Sequence, residues 1–267
     1  MKPSSIRRRF GFWTGLGFTL VISAFLILPV LVSVLPGVTD NQFEGLSSGL
    51  TTRWLREVRA NYGGTVLLSL QIALATLAIT LLLGVPAAYV LARHAGVPAR
   101  LVEEALVMPV AVPGIATALG LIVAYGAVGD LRASWLFILV GHVVFRLPFM
   151  VRSVLAVLLA MDLKGLEEAA RAFGASWTQR FLGVVLLNIS GGMLAGSLMV
   201  VTLSLGEFNM TLLLHTPFTR TLPVGLADAY TALRTEMASA YTLIFFVLIV
   251  PLLSGMQWVA GRAGALR

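Results

Sequence analysis

An all-α membrane protein, built as a polytopic bundle of about six transmembrane helices, is the fold that this sequence predicts. Three observations predict it. Of the 267 residues, 58% are hydrophobic and only 12% charged, whereas a soluble domain carries about 25% charged and roughly 45–50% apolar residues. The apolar residues gather into six runs, each able to supply the about 20 residues that a bilayer crossing needs. The basic residues, apart from Arg146 and Arg152 in the fourth run, fall outside those runs, where topology signals belong. Lipid tails solvate apolar side chains that a water-facing surface could not hide.

Taken in order, the candidate spans are residues 12–35, 65–91, 106–128, 135–159, 184–214 and 240–260. The first follows Arg7, Arg8 and Arg9, as a signal peptide would. Its apolar run exceeds the usual signal core and no small-x-small cleavage site follows Pro36, so it is expected to remain as a span. Residues 36–62 form a polar external loop with a short surface helix expected around residues 54–59. Residues 1–60 thus hold a tail, the first span and an external loop, and 61–267 hold a core of about five spans with a patterned loop over 161–187. In the third span Pro109, Pro113 and Gly114 are expected to make a kink or an end. Gly192 and Gly196 in the fifth make a G-x-x-x-G spacing suited to a seam with a second subunit.

Charge sets the orientation. With the N-terminus inside, Lys2, Arg7, Arg8, Arg9, Arg93, Arg100, Lys164, Arg171, Arg180, Arg262 and Arg267 are cytoplasmic, against Arg53, Arg56, Arg59, Arg132, Arg220 and Arg234 outside. That bias places both termini in the cytoplasm. A net charge of +7 spread over loops in this way does not mark a nucleic-acid binder, which clusters its cations on one soluble face. The chain has no cysteine, which removes disulfides and thiolate chemistry. Its two lysines, Lys2 and Lys164, follow Met1 and Leu163. Neither stands in the G-K context that holds nucleotide phosphates. His94, His142 and His215 lie on separate segments without metal-binding spacing. No catalytic group, metal site or cofactor is expected on this chain.

The loop over 161–187 carries the functional reading. Leu163, Leu166, Ala170, Phe173, Trp177 and Phe181 recur in steps of three and four, the helical period. Glu167, Glu168, Arg171, Gln179 and Arg180 are expected on the opposite face. Gly174 should end the first helix and Ser176 should cap a second. Such an element either lies along the headgroups under its own bundle or fits a groove on a partner.

Glu168-Ala169-Ala170, three residues, then Gly174 resembles the E-A-A-x-x-x-G signature in the cytoplasmic loop of bacterial ATP-binding-cassette (ABC) import permeases. That pattern continues nine residues later as I-x-L-P, where this chain reads Val184, Val185, Leu186 and Leu187. Leu187 stands in place of the proline, so a less sharply kinked loop exit is expected. The segments 61–65, 84–89 with Arg93, 108–114 and 222–226 are also similar to this family, the last to its iron, polyamine and phosphonate branch. The resemblance implies a complex of two permease subunits, identical or homologous, with two ATPase subunits and an external solute-binding protein, set in the bacterial inner membrane and its lipid. It implies that Glu168, Ala169, Ala170, Phe173, Gly174, Ala175 and Trp177 belong to a coupling helix that docks on the ATPase. The solute implied is polyamine, ferric ion or phosphonate-like.

Ionisable groups at membrane depth are costly and mark cavities or partners. Glu207, with Asn209 beside it, is expected either near the external interface or lining the translocation path, where one carboxylate favours a cationic solute unless a nearby arginine neutralises it. Arg146 pairs with a carboxylate or snorkels to water. An ion-driven secondary transporter is the rival reading. It should show internal repeats and midplane carboxylates, and no convincing repeat is present.

Overall fold

The computed structural model describes residues 5–94 and 96–265. Lys2 and Arg267, counted above as cytoplasmic charges, lie outside them. Helix α1 (Ser5–Val34) is the first apolar run, followed by 3-10 turns at Leu35–Val38 and Gly45–Ser48. Helix α2 (Arg53–Arg93) is 41 residues long and absorbs the separate surface helix expected around 54–59. Gly63 and Gly64 do not interrupt it, because each costs only about 1 kcal/mol relative to Ala and continuing the helix keeps every backbone group bonded.

Helices α3 (Val97–Ala111) and α4 (Gly114–Tyr125) replace the single third span, meeting at 103°. Pro113 is the cause. Its ring has no N–H to donate and drives the preceding residue to extended geometry, and Val112 has φ −89° and ψ 135°. Helix α5 (Trp135–Ala160) starts on Ser134, whose hydroxyl accepts from Leu136 N. Then come α6 (Leu163–Ala172), α7 (Trp177–Arg180), a π-helical turn at Phe181–Val185, α8 (Leu186–Asn188) and α9 (Ser190–Leu205). Helices α10 (Asn209–Leu214), α11 (Leu222–Thr231) and α12 (Thr235–Ala265) complete the chain.

The fifth span expected over 184–214 is therefore broken twice. Segments Trp177–Asn188 and Ser190–Leu205 meet at 67°, and α9 stops before α10. Leu187 stands at this exit, and the bend is made without a proline. The π-helical turn takes up an extra residue, and Asn188 Nδ2 donates to Val184 O at 2.8 Å, so the chain turns without proline. Among the described residues four helices are long and apolar enough to cross a membrane, and counting each bent pair as one span gives six.

The chain forms two compact units. One comprises residues 1–61 and 226–245, the other 62–225 and 246–267. In the first, Gly37 lies against the backbone at Ser239 and Ala240. Trp54 Nε1 donates to Thr39 O at 3.0 Å, and Arg234 pairs with Glu57. In the second, the core is built from Val85, Ala88, Tyr89, Met150, Val154 and their neighbours. A further cluster centres on Ile72, Ala118, Phe137, Met210 and Leu214.

The tightest approach in the second unit is between α5 and α9. A Cβ on Gly192 would lie 2.7 Å from the Ser153 carbonyl oxygen, and one on Gly196 2.8 Å from Met150 Sδ and 3.3 Å from its Cα. These two glycines, expected to serve a seam with a second subunit, instead close a seam within the chain, since only a bare Cα lets the two backbones come this near. Gly192→Val should destabilise the fold by about 3 kcal/mol, the upper end for overpacking, because a carbonyl oxygen cannot move aside. A Cβ on Gly191 would meet nothing within 4 Å, so Gly191→Val is the matched control. Thermal unfolding in detergent checks this: equal melting of the two variants would show that the seam tolerates a side chain.

Candidate functional site

The loop over 161–187 is a helix, a turn and a short helix, and its sequence accounts for each part. Asp162 caps α6, accepting from Gly165 N at 3.0 Å. At the other end Ala175 N donates to Ala170 O at 3.1 Å and Gly174 N to Arg171 O at 2.9 Å. Those two bonds close a Schellman turn, which needs a left-handed residue after the cap. Gly174 supplies it with φ +81°, while a Cβ there would meet nothing within 4 Å. The glycine of the signature thus serves backbone conformation, not space. Ser176 and Gln179 then form a reciprocal capping box that starts α7.

The predicted coupling residues cluster at this turn. Glu168, Ala169 and Gly174 are exposed, Ala170 and Ala175 half-buried. Phe173 is 94% exposed and Trp177 54%. A shallow concavity runs from Phe173 and Gly174 to Leu182 and Gly183. Of the apolar stripe expected from periodicity, Leu163 is buried and Phe181 packs against the core, while Phe173 and Trp177 are left uncovered by the chain's own helices.

Glu167 corrects the sequence reading. It was expected on the polar face beside Glu168, yet it is 6% exposed. Tyr89 Oη donates to Glu167 Oε1 at 2.6 Å, and Arg93 Nη1 reaches Oε2 at 3.0 Å. Phe181 stands edge-on to Tyr89 with ring centroids 5.2 Å apart and stacks on Trp177 at 5.4 Å. Tyr89 and Arg93, one turn apart at the end of α2, thus tie both α6 and the start of α7 to that span. The signal available was Leu163 and Glu167, four apart and both buried. A burial stripe through a carboxylate is invisible to apolar periodicity.

The second candidate region is the break at residues 206–208 between α9 and α10. Glu207 is an ion-paired, largely covered carboxylate and not a solvated one. Its side chain is 11% exposed and paired with Arg146, which is 5% exposed. Arg146 also donates to Leu203 O at 2.8 Å, and Glu207 Oε1 accepts from Met210 N at 3.0 Å. Asn209 is exposed, and its Cβ lies 3.7 Å from where Gly114 would carry one. The two helix breaks of the unit, at Pro113 and at Glu207, therefore meet.

His142 is the buried polar residue that sequence reasoning did not find. Its Nδ1 is 2.8 Å from Ser204 Oγ and its Nε2 2.9 Å from Thr211 Oγ1. Among the described residues no group of three His, Asp or Glu side chains could hold a metal ion.

Comparison with known proteins bears on what such a bundle does. The family described as binding-protein-dependent transport system inner membrane component matches residues 80–264. The chain belongs to this family. It is a permease subunit of an ABC importer. Among its relatives, the sulfate transport system permease protein CysW of Synechocystis is 28% identical, covering 92% of this chain and 93% of that one. The putative 2-aminoethylphosphonate transport system permease protein PhnV of Salmonella typhimurium is 25% identical over 94% and 95%. The putrescine transport system permease protein PotI of Escherichia coli is 27% identical over 87% and 86%. The permease also shares its fold with a bacterial ABC transporter involved in alginate import, with TM-score 0.72 and 12% identity over 96% of this chain and 97% of that one. The MetNI methionine transporter gives TM-score 0.62 and 20% identity over 79% and 98%.

Proposed function

We propose that this permease carries a small hydrophilic solute across the inner membrane and takes its driving force from a separate ATPase docked on α6 and α7. The solute class is a polyamine, a phosphonate or a related oxyanion, as the relatives' names support, or the ferric ion that the family resemblance also implies. Glu207 does not argue for a cation, because Arg146 neutralises it. Phe173 carries the reading of the loop: a fully presented aromatic ring at a rigid turn is costly in water unless a partner covers it. Glu168, Ala169, Ala170, Phe173, Gly174, Ala175 and Trp177 form the docking tip. Glu167, Tyr89 and Arg93 form the strut that passes its displacement to α2. ATP and solute then bias one equilibrium between two states of the spans.

The assembly proposed has two ATPase subunits, a second permease that is identical or homologous, and an external solute-binding protein. Both termini are cytoplasmic, as the basic residues direct. Nucleotide chemistry resides on the partner, since neither Lys2 nor Lys164 stands in a phosphate-binding loop. On this reading the break that holds Glu207, next to where Asn209 meets Gly114, belongs to the translocation path, as discontinuous helices at membrane depth are tolerated where they line a cavity.

Affinity purification of the tagged chain from its native membrane, followed by mass spectrometry, tests the reading. An ATPase should return with the wild type and be reduced with Gly174→Asp, and a co-purifying binding protein should report the solute. A chain that returns alone, under conditions that preserve known complexes, would favour the secondary transporter.

A further inference from the structure

Helix α5 presents two buried polar side chains one turn apart, His142 at 2% and Arg146 at 4% exposure. His142 reaches both sides of the break in the following span, and Arg146 reaches its α9 side and the break itself. His142 holds Ser204, in the last turn of α9, through one ring nitrogen, and Thr211, in α10, through the other. Arg146 holds the Leu203 carbonyl at the end of α9 and the Glu207 carboxylate within the break. Glu207 in turn accepts from the first turn of α10 at Met210 N. The far end of α10 is gripped as well, for Arg132 donates to Leu213 O at 2.9 Å and Leu214 O at 2.6 Å.

Helix α10 is six residues long, far too short to hold its own direction as an isolated helix. Its direction must come from what grips it. Gly141 allows a close approach, since a Cβ there would meet Leu214 Cδ1 at 2.7 Å, but apolar contact of this kind is tolerant of sliding and rotation. Hydrogen bonds and an ion pair are not, because a buried donor or charge that loses its partner is left uncompensated in low dielectric. We propose that His142 and Arg146 are positioning residues for transport, fixing from α5 the angle at the α9–α10 break and so placing Asn209 against Gly114.

Arg146 Nε finds no partner among the described residues. The guanidinium is thus used for the directions in which it bonds, not for complete satisfaction. The proposal rests on the pathway reading for its purpose, but its geometry can be measured without any solute.

The native chain has no cysteine, so an introduced pair reports alone. Gly114→Cys with Asn209→Cys puts the two Cβ atoms 3.7 Å apart, within disulfide range. Full-length chain in native membranes is oxidised with copper phenanthroline, and free thiols are counted by maleimide-polyethylene-glycol gel shift. Most wild-type-background chains should lose both thiols without dimer formation. His142→Ala, and separately the neutral pair Arg146→Met with Glu207→Gln, should cut that yield at least fivefold, and Arg146→Lys should recover part of it. A second pair, Ser153→Cys with Met199→Cys, spans α5 and α9 where the native side chains approach to 3.9 Å, and its response to a cross-linking thiosulfonate should not change. Undiminished Gly114–Asn209 yield in both backgrounds would overturn the proposal. Loss of both pairs together would also overturn it, by showing that the residues hold up the fold and not the break. Failure of an ATPase to co-purify would count against the importer reading and leave this geometric result standing.

Discussion

Glu207→Ala is expected to abolish accumulation of the permease in the membrane, whereas Arg146→Met combined with Glu207→Gln accumulates near the wild-type level. The reason lies in what each change leaves behind. Arg146 is 4% exposed and its counter-charge is Glu207. Removing the carboxylate strands a guanidinium at membrane depth and costs about 3–5 kcal/mol. A whole domain has only about 5–15 kcal/mol of stability to lose. The single change also removes the acceptor for Met210 N. In the double variant the charge is gone, Met fills the arginine's volume, and Gln keeps an acceptor for that amide. Replacing a buried pair by neutral groups is often free of cost or stabilising. Size-exclusion profiles of fluorescent fusions read both outcomes directly. Wild-type accumulation of Glu207→Ala would mean that another group neutralises Arg146.

At the loop, Gly174→Asp and Glu167→Ala are expected to reduce uptake by about 5–150-fold, the range of ordinary coupling energies, for opposite reasons. Gly174 sits at φ +81° with open space around it. Asp is among the residues that tolerate this conformation, so the variant should insert normally. Its new carboxylate stands at the docking tip beside Phe173, and ATPase recovery should fall, as it should with Glu168→Lys. Glu167→Ala leaves the tip intact and removes the acceptor of Tyr89 and Arg93. Here the ATPase should still co-purify and hydrolyse ATP while uptake of the solute carried by the co-purifying binding protein falls. If Glu167→Ala transports normally, motion of α6 reaches the spans by a route other than α2. If Gly174→Asp retains both ATPase and uptake, the Schellman turn is not a docking element.

The membrane class, the number of apolar runs and the helix-turn-helix loop were all legible from the chain alone. The physical reason is that each is set by short-range chemistry. Lipid demands long apolar helices whatever they pack against. Gly174, Ser176 and Gln179 act through backbone bonds to residues at most five positions away. Pro113 likewise breaks its helix by a clash with its own neighbour. The family signature adds to this reading, because Glu168 to Gly174 encodes that same local turn.

What stayed hidden were the partners of side chains that reach across the fold. Gly192 and Gly196 can serve any close approach, and their spacing says nothing of whether the opposing helix belongs to the same chain. Glu167 looks like a surface carboxylate until α2 brings Tyr89 and Arg93 to it from 78 and 74 residues away. Glu207 looks like a lone carboxylate until α5 brings Arg146, 61 residues away. Sequence alone determined that this chain is built of apolar helices fit to span a bilayer and carries a structured polar loop between them, because hydropathy and turn chemistry are local. Only the tertiary structure decided which carboxylates are exposed and which are buried in ion pairs, because burial and charge pairing depend on distant segments meeting in space.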